Sequence, residues 1–303
     1  MLTLTCLNRR LVTGSPNEMR ICNTPTEMSA ACRELREYGR TLGLVPTMGA
    51  LHEGHMSLVA AARSACGVVA VSIFVNPTQF GPNEDYAAYP RTFEDDCNKL
   101  EHAGVDLVFA PGAEVMYPPG NTTVVDPGEI GNRLDGASRP GHFRGVATIV
   151  TRLFNIVQPD RAYFGQKDAA QVAVLRHVMR DLNLPVDLVI CPIVREPDGL
   201  AMSSRNRYLS AAERKRALVL SRALGAAEDL AARGETSAEA LRHVMRGFFP
   251  GDPHLRLDYA EVIDPDTLLP LNDISGGALV AIAAWVGTTR LIDNLIIPRQ
   301  IAR

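Results

Sequence analysis

Short apolar runs alternate with amphipathic segments along the first two thirds of the chain. The run VVAVSIFV at 68–75 is uncharged and rich in β-branched residues, as expected for a strand that is covered on both faces. The same patterning predicts strands at 42–45, 68–75, 105–110, 162–164 and 186–190, and helices at 57–65, 93–104, 146–157 and 169–182. Strands that alternate with helices in this way predict a doubly wound parallel sheet.

The pattern changes near Val194. The polar turn sequence REPDG is followed by a long helical pattern at 211–233, which begins behind Ser210 as a natural N-cap. A second helix is predicted at 237–247, and strands at 255–263, 278–285 and 289–297. We therefore predict an α/β protein with three parts: an N-terminal extension (1–20), a Rossmann-like domain (21–194) and a smaller α+β domain (195–303).

Composition narrows the class of protein. The chain has 303 residues, of which 46% are hydrophobic and 21% charged, and a formal net charge of −3, which gives no support for a nucleic-acid partner. Its six cysteines include no C-x-x-C pair, as expected for reduced thiols in a cytoplasmic protein. The first 20 residues lack the continuous apolar core of a signal peptide, and the longest apolar stretch, 277–286, falls short of the roughly 18 residues of a membrane span. We expect neither membrane nor nucleic acid as a partner.

The segment PTMGALHEGH, residues 46–55, places two glycines and two histidines where the strand at 42–45 leads into a helix predicted to begin just after His55. Free backbone N–H groups and the helix dipole attract anions at such a point, and imidazoles donate hydrogen bonds to phosphate oxygens. The alternative is that His52 and His55 only cap the helix or form part of a metal site. A zinc pair on a helix usually has three residues between its histidines and needs a third ligand. The segment favours a triphosphate.

Two further polar loops follow predicted strands. NPTQF at 76–80 offers uncharged amides that could orient a hydroxylated substrate, although an Asn-Pro turn explains it equally well. GQKD at 165–168 places a lysine beside a glycine at a helix start, which suits phosphate binding, whereas the alternative is a solvated Lys/Asp pair. Ligands of an open α/β sheet bind at such loops.

Three more segments carry charge. MSSRN at 202–206 offers a guanidinium and two hydroxyls to a phosphate, or is a polar helix entry. RPGHFR at 139–144 is another cationic loop. Asp95 and Asp96 could help to hold Mg²⁺, although paired acids in the first turn of a helix are more often partners of its dipole.

Together, PTMGALHEGH, FVNPTQF, SRPGHFRG, YFGQKD and MSSRN, in this order and at this spacing, closely resemble the pantothenate synthetase (pantoate–β-alanine ligase) family. The resemblance runs from about Ile21 to the C-terminal strands. In that family the His-x-Gly-His element is shared with the nucleotidylyltransferase and class I aminoacyl-tRNA synthetase superfamily. The serine-rich loop stands in for that superfamily's second signature, KMSKS.

The resemblance implies an AMP-forming acid–amino-acid ligase that acts in two steps. Pantoate attacks the α-phosphate of ATP to give pantoyl adenylate and pyrophosphate, and the amine of β-alanine then displaces AMP to give pantothenate. It also implies Mg²⁺ and a homodimer. His55 takes the role of proton donor, Gln79 and Gln171 bind pantoate, and Gln79 also binds β-alanine. The implied ATP-binding residues are Met48, Gly49, Ala50, Leu51, His52, Glu53, Gly54, His55, Gly165, Gln166, Lys167, Asp168, Val194, Met202, Ser203, Ser204 and Arg205.

These roles agree with the chemistry of nucleotidyl transfer. The barrier falls when N–H donors and cations stabilise the charge that grows on the pyrophosphate leaving group. The donors would be His52, His55, Lys167 and Arg205, together with Mg²⁺. No nucleophilic Ser-His-Asp or Cys-His arrangement is required, because the acyl adenylate is already activated.

Two alternatives remain at the level of sequence. One is a nucleotidyltransferase of the same superfamily with a different acceptor, although nothing resembles the basic anticodon-binding module of a tRNA synthetase. The other is a non-catalytic nucleotide-binding module, which we would expect to have lost at least one of the cationic residues. The chain retains them all.

Overall fold

The computed structural model describes residues 19–36, 39–82, 84–249 and 251–299, and its largest feature is a six-stranded parallel sheet. In chain order its elements are β1 (Arg20–Cys22), α1 (Pro25–Arg36), β2 (Leu42–Thr47), α2 (Glu53–Ala65), β3 (Val68–Ile73), α3 (Phe93–His102), β4 (Leu107–Phe109), α4 (Ala113–Met116), α5 (Asp135–Ser138), α6 (His142–Val157), β5 (Arg161–Gly165), α7 (Ala169–Asp181) and β6 (Asp187–Cys191). The strand order is β1-β4-β3-β2-β5-β6, and all neighbours are parallel. The predicted fold class is confirmed.

The central strands explain why this sheet forms. In β2, Leu44 pairs with Ala70 of β3 on one side and with Ala162 of β5 on the other. Leu44, Val45 and Val71 are fully buried, since helices cover both faces of the sheet. The uncharged β-branched run at 68–75 matches this environment, as parallel strands require.

The C-terminal part forms a second, three-stranded antiparallel sheet in the order β7-β8-β9. Its elements are α8 (Ala211–Ala217), α9 (Val219–Ala232), α10 (Ala238–Arg246), β7 (Leu255–Ile263), β8 (Ala278–Val286) and β9 (Thr289–Ile297). Helix α9 packs on β8 and β9, and α10 packs on β7 and α9. The two sheets lie on either side of the predicted boundary at Arg195.

Three element predictions need correction. The helix predicted at 211–233 is two helices that meet at Leu218, although Ser210 caps the first, accepting a hydrogen bond from the backbone N–H of Glu213 (3.3 Å). Helix α2 begins at Glu53, before His55 rather than after it. Strand β1 and helix α1 were not predicted. Strand β1 is a three-residue edge strand whose Ile21 is 46% exposed, so it carries no apolar pattern of its own and is defined by pairing with β4.

The N-terminal extension and the length of the helices are the last features of the fold. Most of the predicted extension lies outside the described residues, and Arg20, its last residue, already belongs to β1. Within the described ranges, no helix combines the length and apolarity that crossing a membrane requires.

Candidate active site

A cleft opens at the carboxyl ends of β2 and β5. The chain runs from β2 outward to β3 and β4, and then returns to place β5 and β6 on the other side of β2. Open α/β sheets bind ligands at such a reversal of strand order, because the loops after the two strands diverge there. The cleft has a cavity volume of about 190 Å³ and opens to solvent, and a concave site at this place in an open α/β sheet is where small molecules bind.

The cleft brings together most of the residues expected at the site. Those lining it are Met48, His52, Gly54, His55, Gln79, Gly165, Lys167, Asp168, Gln171, Val194, Met202, Ser203, Ser204 and Arg205. The expected residues Gly49, Ala50, Leu51, Glu53 and Gln166 are not among its lining residues. Side chains without a predicted role also line it: Leu58, Phe80, Tyr89, Arg139, His142, Pro192 and Ile193.

Side chains of α3 form hydrogen bonds to the backbone of the loop between β2 and α2. Gly49 and Ala50 both have left-handed backbone conformations, with φ of +80° and +52°. The buried Asp96 carboxylate accepts hydrogen bonds from the backbone N–H groups of Ala50 and Leu51, each at 2.8 Å, and Lys99 Nζ donates to the carbonyl oxygen of Leu51 (2.7 Å). These two N–H groups are therefore committed to Asp96 rather than offered to a phosphate. Their task is to shape the loop.

The structure gives Asp96 a different role and provides no support for a metal site at Asp95 and Asp96. Both carboxylate oxygens of Asp96 accept backbone N–H groups, and one also accepts the Thr92 hydroxyl (3.2 Å). Asp95 is exposed on α3 and does not line the cleft. In the described part of the chain, no group of three or more His, Cys, Asp and Glu side chains could hold a metal ion.

The two histidines stand at the start of α2 as neutral imidazoles. Burial, reinforced by the neighbouring His52, lowers the pKa of His55 to about 3. Burial and the charge of Lys167 also lower the pKa of His52. The backbone N–H of His52 faces Nδ1 of His55 at 3.4 Å, so the neutral His55 ring carries its proton on Nε2. Both rings are hydrogen-bonding groups rather than cations near neutral pH.

His52 has one further feature that suits a ligand. His52 is the N-cap residue of α2 and forms a capping box with His55, yet its buried Nδ1 atom makes no full hydrogen bond among the described residues. Its ring lies 4.1 Å from that of His55, measured between centroids. A buried polar atom without a partner costs free energy unless a ligand or water satisfies it.

Lysine and arginine approach the cleft from different parts of the chain. Lys167 lies on a short 3-10 helix, Gln166–Asp168, directly after β5, with its Nζ 3.6 Å from Oδ1 of Asp168. Arg205 lies on another, Ser204–Tyr208, beyond the parallel sheet. The Lys/Asp pair that is the alternative interpretation of this loop is therefore present, and both of its members line the cleft.

The guanidinium of Arg205 already has an anionic partner. Its Nε and Nη2 donate to the two carboxylate oxygens of Asp85, at 3.1 and 2.9 Å. The same guanidinium lies 5.9 Å from the ring centre of Tyr89, whose hydroxyl is 3.2 Å from that of Ser204. The segment after β3 thus contacts the MSSRN loop beside the cleft. Asp85 and Tyr89 carry no local sequence signal for this contact.

Gln79 is held in one orientation. The buried Asn76 donates from Nδ2 to Oε1 of Gln79 (3.0 Å), and Gln79 Nε2 contacts Sδ of Met48 (3.3 Å). Asn76 therefore serves as a support for Gln79. A sulfur is a weak acceptor, so a substrate oxygen could replace it without much loss.

The RPGHFR loop fixes the backbone of Gln79. His142 Nδ1 donates to the Gln79 carbonyl oxygen at 2.8 Å, and His142 Nε2 accepts from Nη1 of Arg139 at 3.1 Å. Burial, reinforced by Arg139, lowers the pKa of His142 to about 4. Arg139 in turn donates from Nε to Glu84 (2.9 Å). The sequence marked this loop as cationic but gave no sign that it supports Gln79.

Comparisons with known proteins identify the family. A family model described as pantoate-beta-alanine ligase matches residues 20–296. The chain is 58% identical to a pantothenate synthetase of Koribacter versatilis over 279 residues, covering 92% of this chain and 96% of that protein. It is 56% identical to that of Thermotoga neapolitana, covering 92% of this chain and 100% of that protein.

Solved structures give the same result. A crystal structure of the Thermus thermophilus pantothenate synthetase matches with a TM-score of 0.86 and 51% identity, covering 91% of this chain and 99% of that one. The Francisella tularensis ligase, crystallised with Beta-gamma ATP and Beta-alanine, matches with a TM-score of 0.75 and 35% identity, covering 92% and 98%. The chain therefore belongs to the pantoate-beta-alanine ligase family, the pantothenate synthetases.

Proposed function

We propose that this cleft condenses pantoate with β-alanine at the expense of ATP, releasing AMP and pyrophosphate, and that its residues divide the work between two half-reactions. The observation that carries the proposal is the convergence of PTMGALHEGH, GQKD and MSSRN on one cleft at the reversal of strand order. Three segments that are far apart in sequence supply the N–H donors and cations that nucleotidyl transfer needs.

In the first half-reaction, a carboxylate oxygen of pantoate bonds to the α-phosphorus of ATP. The bond from that phosphorus to the bridging oxygen breaks, and pyrophosphate leaves. We assign the stabilisation of this leaving group to His52, His55, Lys167 and Arg205. His55 would act through its Nε2–H, since burial keeps the ring neutral. A triphosphate beside the ring would raise its pKa and favour its role as a proton donor.

The other predicted residues would complete the ATP site. Gly54, Gly165, Asp168, Val194, Met202, Ser203 and Ser204 line the cleft around the four donors. Met48 lines it beside Gln79 and so stands between the proposed ATP and pantoate positions. Gly49, Ala50, Leu51, Glu53 and Gln166 would contribute by shaping the loops that carry the lining residues.

In the second half-reaction, the amine of β-alanine bonds to the acyl carbon of pantoyl adenylate. The bond to the AMP oxygen breaks, and the nitrogen loses a proton. We propose that Gln79 and Gln171 bind pantoate, and that Gln79 also contacts β-alanine. The support for Gln79 is its fixed amide in the cleft, held by Asn76. Gln171 lines the same cleft from the first turn of α7.

Mg²⁺ would enter with ATP rather than bind a prepared protein site. Among the described side chains that line the cleft, Asp168 is the one carboxylate. Mg²⁺ is commonly held by one or two carboxylates together with substrate phosphates and water. The donor set fits that arrangement, in which the ion would neutralise phosphate charge while Asp168 helps to position it.

We also propose two units, 21–194 and 195–303, that share this site, and a homodimeric, cytoplasmic enzyme. The separate sheets support the division into units. Cys22, Cys32, Cys66 and Cys191 are buried free thiols, which supports a reducing compartment. The homodimer rests on the family resemblance. Sedimentation equilibrium would reveal it as twice the chain mass.

The decisive experiment is mass spectrometry of the products formed from ATP, Mg²⁺, pantoate and β-alanine. We expect pantothenate, AMP and pyrophosphate in equal amounts, and no product when pantoate is omitted. Formation of ADP would place the reaction in another class of ligase. Transfer of AMP to some other acceptor, with pantoate inert, would indicate a different nucleotidyltransferase.

A further inference from the structure

Two consecutive polar residues of β9, Asp293 and Asn294, are buried in the C-terminal sheet, each only 3% exposed. Aspartate and asparagine are seldom buried so deeply unless their hydrogen bonds are satisfied. We propose that this pair is the positioning element that fixes the lysine-bearing and arginine-bearing loops of the cleft relative to each other. The proposal rests on the function proposed above, in which both cations serve the first half-reaction.

Asn294 forms hydrogen bonds to the loop that carries Lys167. Its Nδ2 donates to the carbonyl oxygens of Gln166 (3.0 Å) and Lys167 (2.9 Å), and its Oδ1 accepts from Nε2 of Gln166 (3.0 Å). Both amide hydrogens and the amide oxygen of Asn294 are thus used. The backbone from which the lysine side chain extends is fixed by a residue of the other sheet.

Asp293 forms an ion pair with Arg195, which lies just before the loop that carries Arg205. Its two carboxylate oxygens accept Nη1 and Nη2 of Arg195, at 2.7 and 3.0 Å, and one of them also accepts the backbone N–H of Asn294 (2.8 Å). Arg195 forms an isolated antiparallel bridge with Ala201, and the N–H of Met202 donates to the carbonyl oxygen of Val194 (3.0 Å). The chain continues from there directly into MSSRN.

Because Asp293 and Asn294 are consecutive in β9, their two sets of hydrogen bonds connect the two cationic loops to each other. Lys167 and Arg205 lie on loops from different parts of the fold, and their like charges repel each other. Other contacts must therefore set the distance between them. Catalysis by preorganised charge depends on that spacing, and a misplacement of about 1 Å can cost about 10²-fold in rate. Neither Asp293 nor Asn294 lines the cleft. They act through the loops and are positioning residues.

Asn294→Asp tests the connection. The change keeps the size and the acceptor of the side chain, but it replaces both donated hydrogen bonds with a carboxylate facing two carbonyl oxygens. We expect pantoate-dependent exchange of pyrophosphate into ATP to lose about tenfold or more in kcat, with a smaller change in the KM for pantoate. Supplied pantoyl adenylate and β-alanine should react within about threefold of the wild-type rate, since pyrophosphate has already left.

Two further variants keep the test sharp. Asn294→Ser retains one donor, and we expect its exchange rate to lie between those of wild type and Asn294→Asp, which also covers the case in which Asn294→Asp fails to fold. Arg242→Met is the matched control: Arg242 is buried in the same unit, where it donates to the carbonyl oxygens of Val262 and Leu271 (2.8 Å each), away from the cleft. It should lower the melting temperature without selective loss of exchange.

Each other outcome has a defined meaning. Equal loss of both half-reactions in the Asn294 variants, an unchanged exchange rate, or the same selective loss in Arg242→Met would overturn the positioning role. Absence of pantoate-dependent exchange in the wild-type protein would instead overturn the proposed function. The two failures are therefore distinguishable.

Discussion

Asp85→Asn should tighten ATP binding, because Asp85 holds the guanidinium that we assign to the triphosphate. The Asp85 carboxylate takes both Nε and Nη2 of Arg205, at 3.1 and 2.9 Å. A planar guanidinium presents this fork to one bidentate partner at a time. The ion pair must therefore open before two phosphate oxygens can occupy the same donors, and part of the binding free energy of ATP is spent on opening it.

The expected gain follows from the exposure of the pair. The side chains of Arg205 and Asp85 are 28% and 25% exposed, so the pair is only partly screened by solvent. Ion pairs of this kind contribute about 0.5 to 1 kcal/mol. At 1.4 kcal/mol per tenfold change in affinity, removing the competing charge should lower the Kd for ATP about two- to fivefold.

Calorimetric titration with Mg-ATP measures the effect, and a double-mutant cycle isolates it. In an Arg205→Ala background, the same Asp85→Asn change should leave the Kd for ATP unaltered, since the competition no longer exists. Weaker binding by Asp85→Asn would mean that Asp85 orients Arg205 for the phosphate instead of blocking it. A gain that persists without Arg205 would trace the effect to general electrostatics.

Other expectations follow from the same geometry. His55→Ala should lower kcat by about 10² through loss of one preorganised donor, measured by steady-state kinetics on a variant whose circular dichroism is unchanged; an unaltered kcat would remove His55 from the catalytic residues. Gln171→Ala should raise the KM for pantoate far more than that for ATP, and parallel increases would argue against its place in the pantoate pocket. Gly145→Ala should also impair pantoate use with the fold retained, because a Cβ there would lie 2.4 Å from the Thr78 carbonyl oxygen and displace the Gln79 loop; normal pantoate kinetics would show that the loop adapts. Burial lowers the pKa of His55 to about 3 and of His142 to about 4, so the unfolded chain binds more protons below its histidine pKa of 6.5. The free energy of unfolding should therefore fall as the pH drops from about 6.5 to the folded-state pKa, about 4 for His142 and about 3 for His55, by up to about 1.4 kcal/mol per pH unit for each histidine, and urea titrations of His142→Gln should show a shallower slope.

Much of the fold follows from local pattern. Strands β7 and β9 were predicted with the bounds that the structure gives them, because Gly, Pro and Asp turns interrupt the apolar runs around them. The run at 68–75 was recognisable as a buried strand, since parallel strands in a covered sheet are uniformly apolar. The Ser210 cap was also evident, because its hydrogen bonds join residues only three apart.

The convergence of the site was predictable for a related reason. PTMGALHEGH and GQKD each follow a strand, and parallel strands bring their carboxyl ends to one edge of the sheet. The sequence could therefore place His52, His55 and Lys167 together before any contact was known. It could also bring in MSSRN through the family resemblance.

Tertiary structure alone decided which polar residues support the site. Asp96 looked like a possible metal ligand, but packing of α3 turns it toward the backbone of Ala50 and Leu51. Asp85 is 120 positions away from its partner Arg205 in the chain. Asn294 is 128 and 127 positions away from its partners Gln166 and Lys167. Periodicity and capping rules describe neighbours within a few residues, whereas these contacts depend on how two sheets pack. The sequence by itself determined the elements and the reactive loops; the packing determined what holds those loops in place.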